Sequence, residues 1–324
     1  MNQDKNKIEI LEPKAHLNLY GYEDYFNSFK LLYEKRKLPN TILLSGPKGL
    51  GKATFIYHFI HYLLSQEEVK KYSVKDFEIN PDSLTLKSFQ NNTHPNFFLL
   101  ENILLDENIK INQVRNLLKF LNKSTYHKNI KIVLLDNAEY LNHNSSNALL
   151  KSLEEPAVNT FFFIINNTSA KILDTVKSRC VEYKFYFNTS KKKLIFNKII
   201  QDYKLNFENE VIDKFLFFDT PGNLLRYLLV LNDSNINISK NILSGIFYLM
   251  DKYKNTKDHE LLNFISLFIE SFYNELSLND SCNLNNYFIN KYKILYLIND
   301  MKKFNLDKNN LLISIDKILK NETK

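Results

Sequence analysis

Between residues 38 and 187 the chain alternates short, almost continuously apolar runs with stretches of helical periodicity. The runs are Thr41–Ser45, Asn96–Glu101, Lys131–Asp136 and Thr160–Asn166. A strand with one wet face alternates apolar and polar residues, whereas a strand covered on both faces reads as a continuous run. The pattern therefore predicts a parallel α/β sheet with flanking helices. Beyond residue 188 the strand signal stops and apolar residues recur at helical spacing, as at Leu261, Leu262, Ile265, Phe268, Ile269, Phe272 and Leu276. The polar stretch Asn232–Ser239 splits this all-helical half. Three domains are expected: an α/β domain over 1–187, a small helical unit over 188–234 and a helical bundle over 235–324. Residues 66–93 are long, polar and poorly periodic, and read as a loop. No internal repeat or heptad array is present.

Composition narrows the class without fixing the chemistry. The chain has 324 residues, 44% of them hydrophobic, with two Cys and no Trp. That excludes wholesale disorder, collagen-like repeats and a disulfide framework. No apolar run is long enough to cross a bilayer and the first residues lack the apolar core of a signal peptide, so a cytoplasmic location is expected. With 43 Lys+Arg against 36 Asp+Glu the net charge is +7, and clusters such as Lys191-Lys192-Lys193 are compatible with nucleic acid. Only four basic residues are Arg: Arg36, Arg115, Arg179 and Arg226. A chain that writes Lys for plain charge marks with Arg the places needing a planar, multi-donor fork.

Gly is scarcer still, and three of the six Gly fall in Gly46-Pro47-Lys48-Gly49-Leu50-Gly51-Lys52, which fits G-x-x-x-x-G-K between an apolar strand and a helix. Gly lets backbone N–H groups converge on phosphate oxygens, and Lys52 adds a mobile charge for terminal phosphates. The motif continues with a Ser or Thr whose hydroxyl holds Mg²⁺. Here that position is Ala53, and Thr54 is turned away by about 100° of helix. Nucleotide contacts are thus expected from residues 46–54, with ATP or ADP possible and a defective Mg²⁺ site.

Asp136 closes the third apolar run, at the strand end where ligands of parallel sheets gather. In hydrolases of this class the following Glu orients the attacking water; this chain has Asn137, which cannot take a proton. Glu139 would point elsewhere if the strand continued. Losing both the hydroxyl at 53 and the carboxylate at 137 argues against independent ATP hydrolysis.

Taken together, these residues resemble the clamp-loader branch of the AAA+ ATPases, in the form found in bacterial DNA polymerase III. The matching stretches are Leu38-Pro39-Asn40, Leu43–Thr54, His94-Pro95-Asn96, Ile111–Arg115, Leu135–Glu139, Asn147–Pro156, Ser178-Arg179-Cys180 and Thr220–Arg226. They keep family order over most of residues 16–230. The run Ala148-Leu-Leu-Lys-Ser-Leu-Glu-Glu-Pro156 and the Ser-Arg-Cys triplet are the specific ones. The resemblance implies an AAA+ P-loop module, a helical lid and a helical collar that joins tau/gamma and delta subunits in a hetero-pentamer, acting with a sliding clamp and primer-template DNA during replication. It implies that Arg179 reaches across a subunit interface to a neighbour's ATP, a contribution of about 10³ to 10⁵ in rate. It implies that Arg226 senses nucleotide from the lid and that Asn166 is the polar sensor ending the fourth strand.

Many members of that family carry a zinc module of four Cys where this chain has residues 66–93. With Cys180 and Cys282 the only thiols, a Cys₄ zinc site is excluded. His58 and His61 lack a third ligand and are read as surface residues, Cys180 as a packed thiol, and Arg115 as a structural or interface residue. Arg36 has no assigned role. The leading expectation is a hydrolysis-deficient subunit within a DNA-directed DNA polymerase holoenzyme. The alternatives are a working AAA+ ATPase, either a clamp-loader motor paralogue or a branch-migration helicase, and a small-substrate P-loop kinase.

Overall fold

The computed structural model describes residues 10–102, 108–123, 130–167, 172–205, 207, 209–232, 241–279, 283–304 and 308–322; Cys282 lies outside them. Contacts divide the chain into two compact units, residues 1–198 and 199–324.

The first unit is built on five parallel strands: β1 (Thr41–Gly46), β2 (Phe97–Leu100), β3 (Lys131–Leu135), β4 (Thr160–Asn167) and β5 (Val181–Lys184), in the order β2-β3-β4-β1-β5. The four apolar runs are four of these strands. β5 was not visible as a run because it lies on the sheet edge, where only part of each residue is covered and Val181 is exposed. The flanking helices are α1 (Glu23–Glu34), α2 (Lys52–Leu64), α3 (Leu84–Gln90), α4 (Ile111–Leu121), α5 (His143–Glu154) and α6 (Asp174–Lys177).

α2 has no wet face after its first turn, since every residue from Phe55 to Leu64 is buried. One side packs under the sheet, where the Phe59 and Phe163 rings lie 6.0 Å apart, and another meets Phe26 and Phe29 of α1. The remainder is covered by residues 66–93, which are a folded element rather than a loop. Tyr72, Ile79, Leu86 and Phe89 of that segment are buried. Its anchor is the Glu68 carboxylate, which accepts from Ser83 Oγ (2.7 Å), the Leu84 and Thr85 amides (3.0 and 2.9 Å) and Thr85 Oγ1 at the start of α3. The carboxylate thus satisfies the open amides of a helix N-terminus. This cover corrects the reading of His58 and His61: both are fully buried. His58 Nδ1 lies 3.1 Å from Tyr72 Oη, and His61 Nε2 lies 3.0 Å from Ser83 Oγ.

α7 (Thr189–Asp202) contains the boundary between the units. The second unit is helical, as expected, with α8 (Asn209–Phe218), α9 (Pro221–Asn232), α10 (Ile242–Thr256), α11 (His259–Asn279), α12 (Leu284–Phe304) and α13 (Lys308–Asn321). The apolar stripe of α11 is buried from Leu261 to Phe272, and Phe268 meets Phe215 of α8 at 4.7 Å between rings. Among the described residues no helix is long and apolar enough to cross a membrane.

Shortage of Gly leaves a mark on helix ends. A helix commonly ends in a left-handed residue, usually Gly, that folds the last amides back onto open carbonyls. Here Arg36 (φ +55°), Asn92 (φ +53°), Lys204 (φ +53°) and Lys257 (φ +55°) fill that position. After α1 the paired bonds are Arg36 N to Tyr33 O (2.9 Å) and Lys37 N to Leu32 O (2.8 Å). Arg36 therefore serves through its backbone.

Candidate functional site

Because all strands are parallel, β1, β3 and β4 end on the same edge of the sheet. Gly46 stands in register with Asn167, and Leu135 with Ile164. The loop after β1, Asp136 after β3 and Asn167 at the end of β4 are thereby brought together. Gly49 (φ +79°) and Gly51 (φ +92°) occupy left-handed backbone that a side chain would strain. Gly46 is required for another reason: a Cβ there would lie 2.9 Å from the Phe185 carbonyl. α2 starts at Lys52 with no side chain capping its amides, so its positive end faces the loop. Tyr22 braces the arrangement, donating to the Leu50 carbonyl at 3.1 Å and stacking on Phe55 at 4.9 Å.

Lys52 is buried inside this cradle. Its ammonium donates to the Gly46 carbonyl (2.8 Å), the Pro47 carbonyl (2.8 Å) and Asn167 Oδ1 (3.0 Å), which uses all three donors. Burial pushes its pKa down to about 8, against the pull of Asp136 and Glu139. Burial also raises the Asp136 carboxyl, an effect moderated by the Asn137 amide, which donates to it at 2.8 Å.

Two expectations change here. The strand does not continue past Asp136: Asn137 takes a left-handed conformation (φ +56°) and turns the chain back. Glu139 returns to the site, where its carboxylate accepts from the Asn167 amide (3.2 Å) and Asn167 Nδ2 (2.8 Å). The strand-end Asn that touches Lys52 is Asn167, not Asn166, whose buried Oδ1 has no partner among the described residues. β4 runs one residue further than its apolar run, and only its register against Gly46 reveals which of two adjacent Asn faces the loop. Asn137 Oδ1 also accepts from Asn167 Nδ2 (3.0 Å), and Asn137 Nδ2 donates to Asn102 Oδ1 (3.0 Å). The amide of Asn167 is thus oriented with its carbonyl toward Lys52. The loop's left-handed Gly backbone and the uncapped amides of α2 suit phosphate oxygens, and Lys52 would have to give up one of its three acceptors to join them; the side chain at 53 carries no oxygen for a Mg²⁺ ion.

Arg179 lies after α6 at the surface of the first unit. Its Nε donates to Glu154 Oε1 at 2.7 Å, its Nη2 pairs with the same carboxylate, and its Nη1 donates to the Thr175 carbonyl at 2.8 Å. Cys180 packs beside it, its thiol pushed up to about 12 by burial and donating to the Val176 carbonyl. Arg226 lies on α9 in the second unit and donates to both oxygens of Glu260, at 3.1 and 3.2 Å. Arg115 is exposed and contacts Asn112 on its own helix at 3.3 Å. Among the described residues no group of three or more His, Cys, Asp or Glu side chains could hold a metal ion.

The profile of the DNA polymerase III, delta subunit, family matches residues 21–188, just over half of the chain. The chain is 36% identical over 140 residues to the DNA polymerase III subunit delta′ of Pseudomonas aeruginosa, covering 43% of this chain and 41% of that one. It is 30% identical over 187 residues to the corresponding subunit of Buchnera aphidicola, covering 55% and 53%. With the Escherichia coli subunit delta′ the figures are 27% over 155 residues, 48% and 45%. The chain spans about half the length of these relatives. Among solved structures, a DNA polymerase III gamma subunit-related protein of Thermotoga maritima aligns with a TM-score of 0.42 at 17% identity, over 90% of this chain and 96% of that one. A variant of RuvB from the same organism aligns at 0.43 and 15% identity, over 85% and 88%.

Proposed function

The chain belongs to the DNA polymerase III, delta subunit, family, and from that premise we propose that it is the delta′-type AAA+ subunit of a clamp loader. It sits in a hetero-pentamer with tau/gamma and delta subunits, offers Arg179 to ATP held by a neighbour, and helps open a sliding clamp for primed DNA. It does not itself turn over ATP. One juxtaposition carries this reading: the phosphate loop keeps Lys52 and its left-handed Gly while Ala53 and Asn137 stand at the positions of the hydrolytic groups, and Arg179, held against Glu154, lies half-buried at the surface. Residues 188–234 would serve as the lid, with Arg226 as its nucleotide sensor, and 235–324 as the collar. Nucleotide, if held, is held by the loop amides and Lys52 without a Mg²⁺ ion fixed at 53, and residues 66–93 take no zinc.

The test is Arg179→Ala in the reconstituted loader. DNA-stimulated ATP turnover should fall by about 10³ or more, in line with an arginine supplied in trans; unchanged turnover would sink the role. A second reading, a working ATPase, draws on Glu139, a carboxylate turned back into the loop's surroundings. It requires Lys52-dependent turnover by the isolated chain, which the first reading expects to be absent.

A further inference from the structure

We propose that Glu154 is the positioning residue for Arg179, holding its guanidinium as a pre-oriented fork with one N–H left for a phosphate oxygen of the neighbouring subunit. The inference rests on the reading of Arg179 as an arginine acting in trans. It gives a physical task to the Leu153-Glu154-Glu155-Pro156 run, which otherwise matches the family without assigned chemistry.

Both partners are fixed from behind. Glu154 is the last residue of α5, whose rotation is set by the buried Leu149 and Leu153 and whose end is set by Pro156 two residues on. Arg179 is clamped through its backbone: its amide donates to the Val176 carbonyl at 3.1 Å, and its own carbonyl accepts from Thr41 Oγ1 at 2.8 Å, at the start of β1. Between these anchors the side chain spends its donors as follows. Nε and one N–H of Nη2 go to Glu154, and the two of Nη1 go to the Thr175 carbonyl and to Ser178 Oγ at 3.3 Å. Of five guanidinium donors, the second N–H of Nη2 alone has no partner among the described residues. A Lys could not be held this way, because it lacks the fixed edge that Glu154 grips.

An arginine in free solvent must lose its rotamer freedom before it can serve a transition state, and a fork held beforehand has already lost it. The experiment measures steady-state ATP turnover of the loader assembled from its ATPase subunits and the full chain. Glu154→Ala, Glu154→Asp, Arg179→Ala and the Glu154→Ala/Arg179→Ala pair are compared, with a thermal melt of each variant. Glu154→Ala should lower kcat about tenfold with KM for ATP and the melting temperature unchanged, the scale expected from restored rotamer freedom. Glu154→Asp should recover most of the loss, and the double variant should be no slower than Arg179→Ala alone. Unchanged or raised kcat in Glu154→Ala overturns the inference, as does a further loss on top of Arg179→Ala. If Glu154→Ala melts early, Glu154→Gln, which keeps the shape and loses the charge, gives the same comparison. Should Arg179→Ala itself leave turnover intact, the trans role falls and this inference with it; a slow Arg179→Ala beside a normal Glu154→Ala removes the inference alone.

Discussion

Lys52 shows how a motif residue is altered by the site it stands in. Three acceptors hold it and burial brings its pKa down to about 8. An ammonium with that pKa is mostly charged at pH 7, half charged near pH 8 and mostly neutral at pH 9. ADP affinity of the isolated chain should therefore weaken about tenfold between pH 7 and 9, the ratio of charged fractions for a group with that pKa. Adding Mg²⁺ should change it little, since Ala53 brings no oxygen to the metal. Calorimetric titration at the two pH values, with and without Mg²⁺, checks both statements; a flat pH profile removes Lys52 from the contact. Rarity of Arg is an uneven guide to the fork, since Arg36 and Arg115 depart from it. Arg179 engages several edges of its guanidinium, Arg226 reaches Glu260 through Nη1, Arg115 contacts Asn112 on its own helix, and Arg36 serves through its backbone.

At the level of elements, helix ends stand in left-handed backbone without Gly. Such a conformation costs an L-residue about 1–2 kcal/mol, partly offset because Gly loses more chain entropy on folding. Arg36→Gly and Lys204→Gly should each raise stability by about 0.5–1 kcal/mol. Urea midpoints of the two variants test this, and a lowered midpoint for both refutes it. The strands that carry the site were legible because β1, β3 and β4 are covered on both faces and so appear as unbroken apolar runs. β5 was not, because an edge strand needs no such run. Residues 66–93 read as loop because what orders them, the Glu68 carboxylate reaching residues 83–85 and scattered buried residues such as Tyr72, Ile79 and Phe89, has no period in the sequence. The same gap hid the burial of His58 and His61. In the site itself the loop was readable residue by residue from its Gly spacing. The choice between Asn166 and Asn167, and the return of Glu139, depended on register and on the left-handed turn at Asn137.

For the molecule as a whole, the buried histidines couple the folding of the first unit to pH. Burial pushes His58 down to about 3 and His61 to about 4, with Glu68 pulling His61 the other way and His16 and His94 nearby. Both folded values lie below the ordinary 6.5, so the unfolded chain takes up protons first and stability is lost as pH falls from about 6.5 toward 4. At pH 5 the loss should be about 2 kcal/mol for each histidine. Urea unfolding of the full chain at pH 7 and pH 5 measures it, and equal stability at the two values contradicts the coupling. The turn at Asn137 reaches further, into which substitutions this site can accept. Asn accepts a left-handed backbone more readily than Glu does, and the turn that Asn137 makes is what delivers Glu139 to Asn167. Placing Glu at 137 would either strain the φ there or straighten the turn and lose the Glu139 contact. An unstrained Glu at 137 and the Glu139 contact therefore exclude one another, so the two positions do not vary independently.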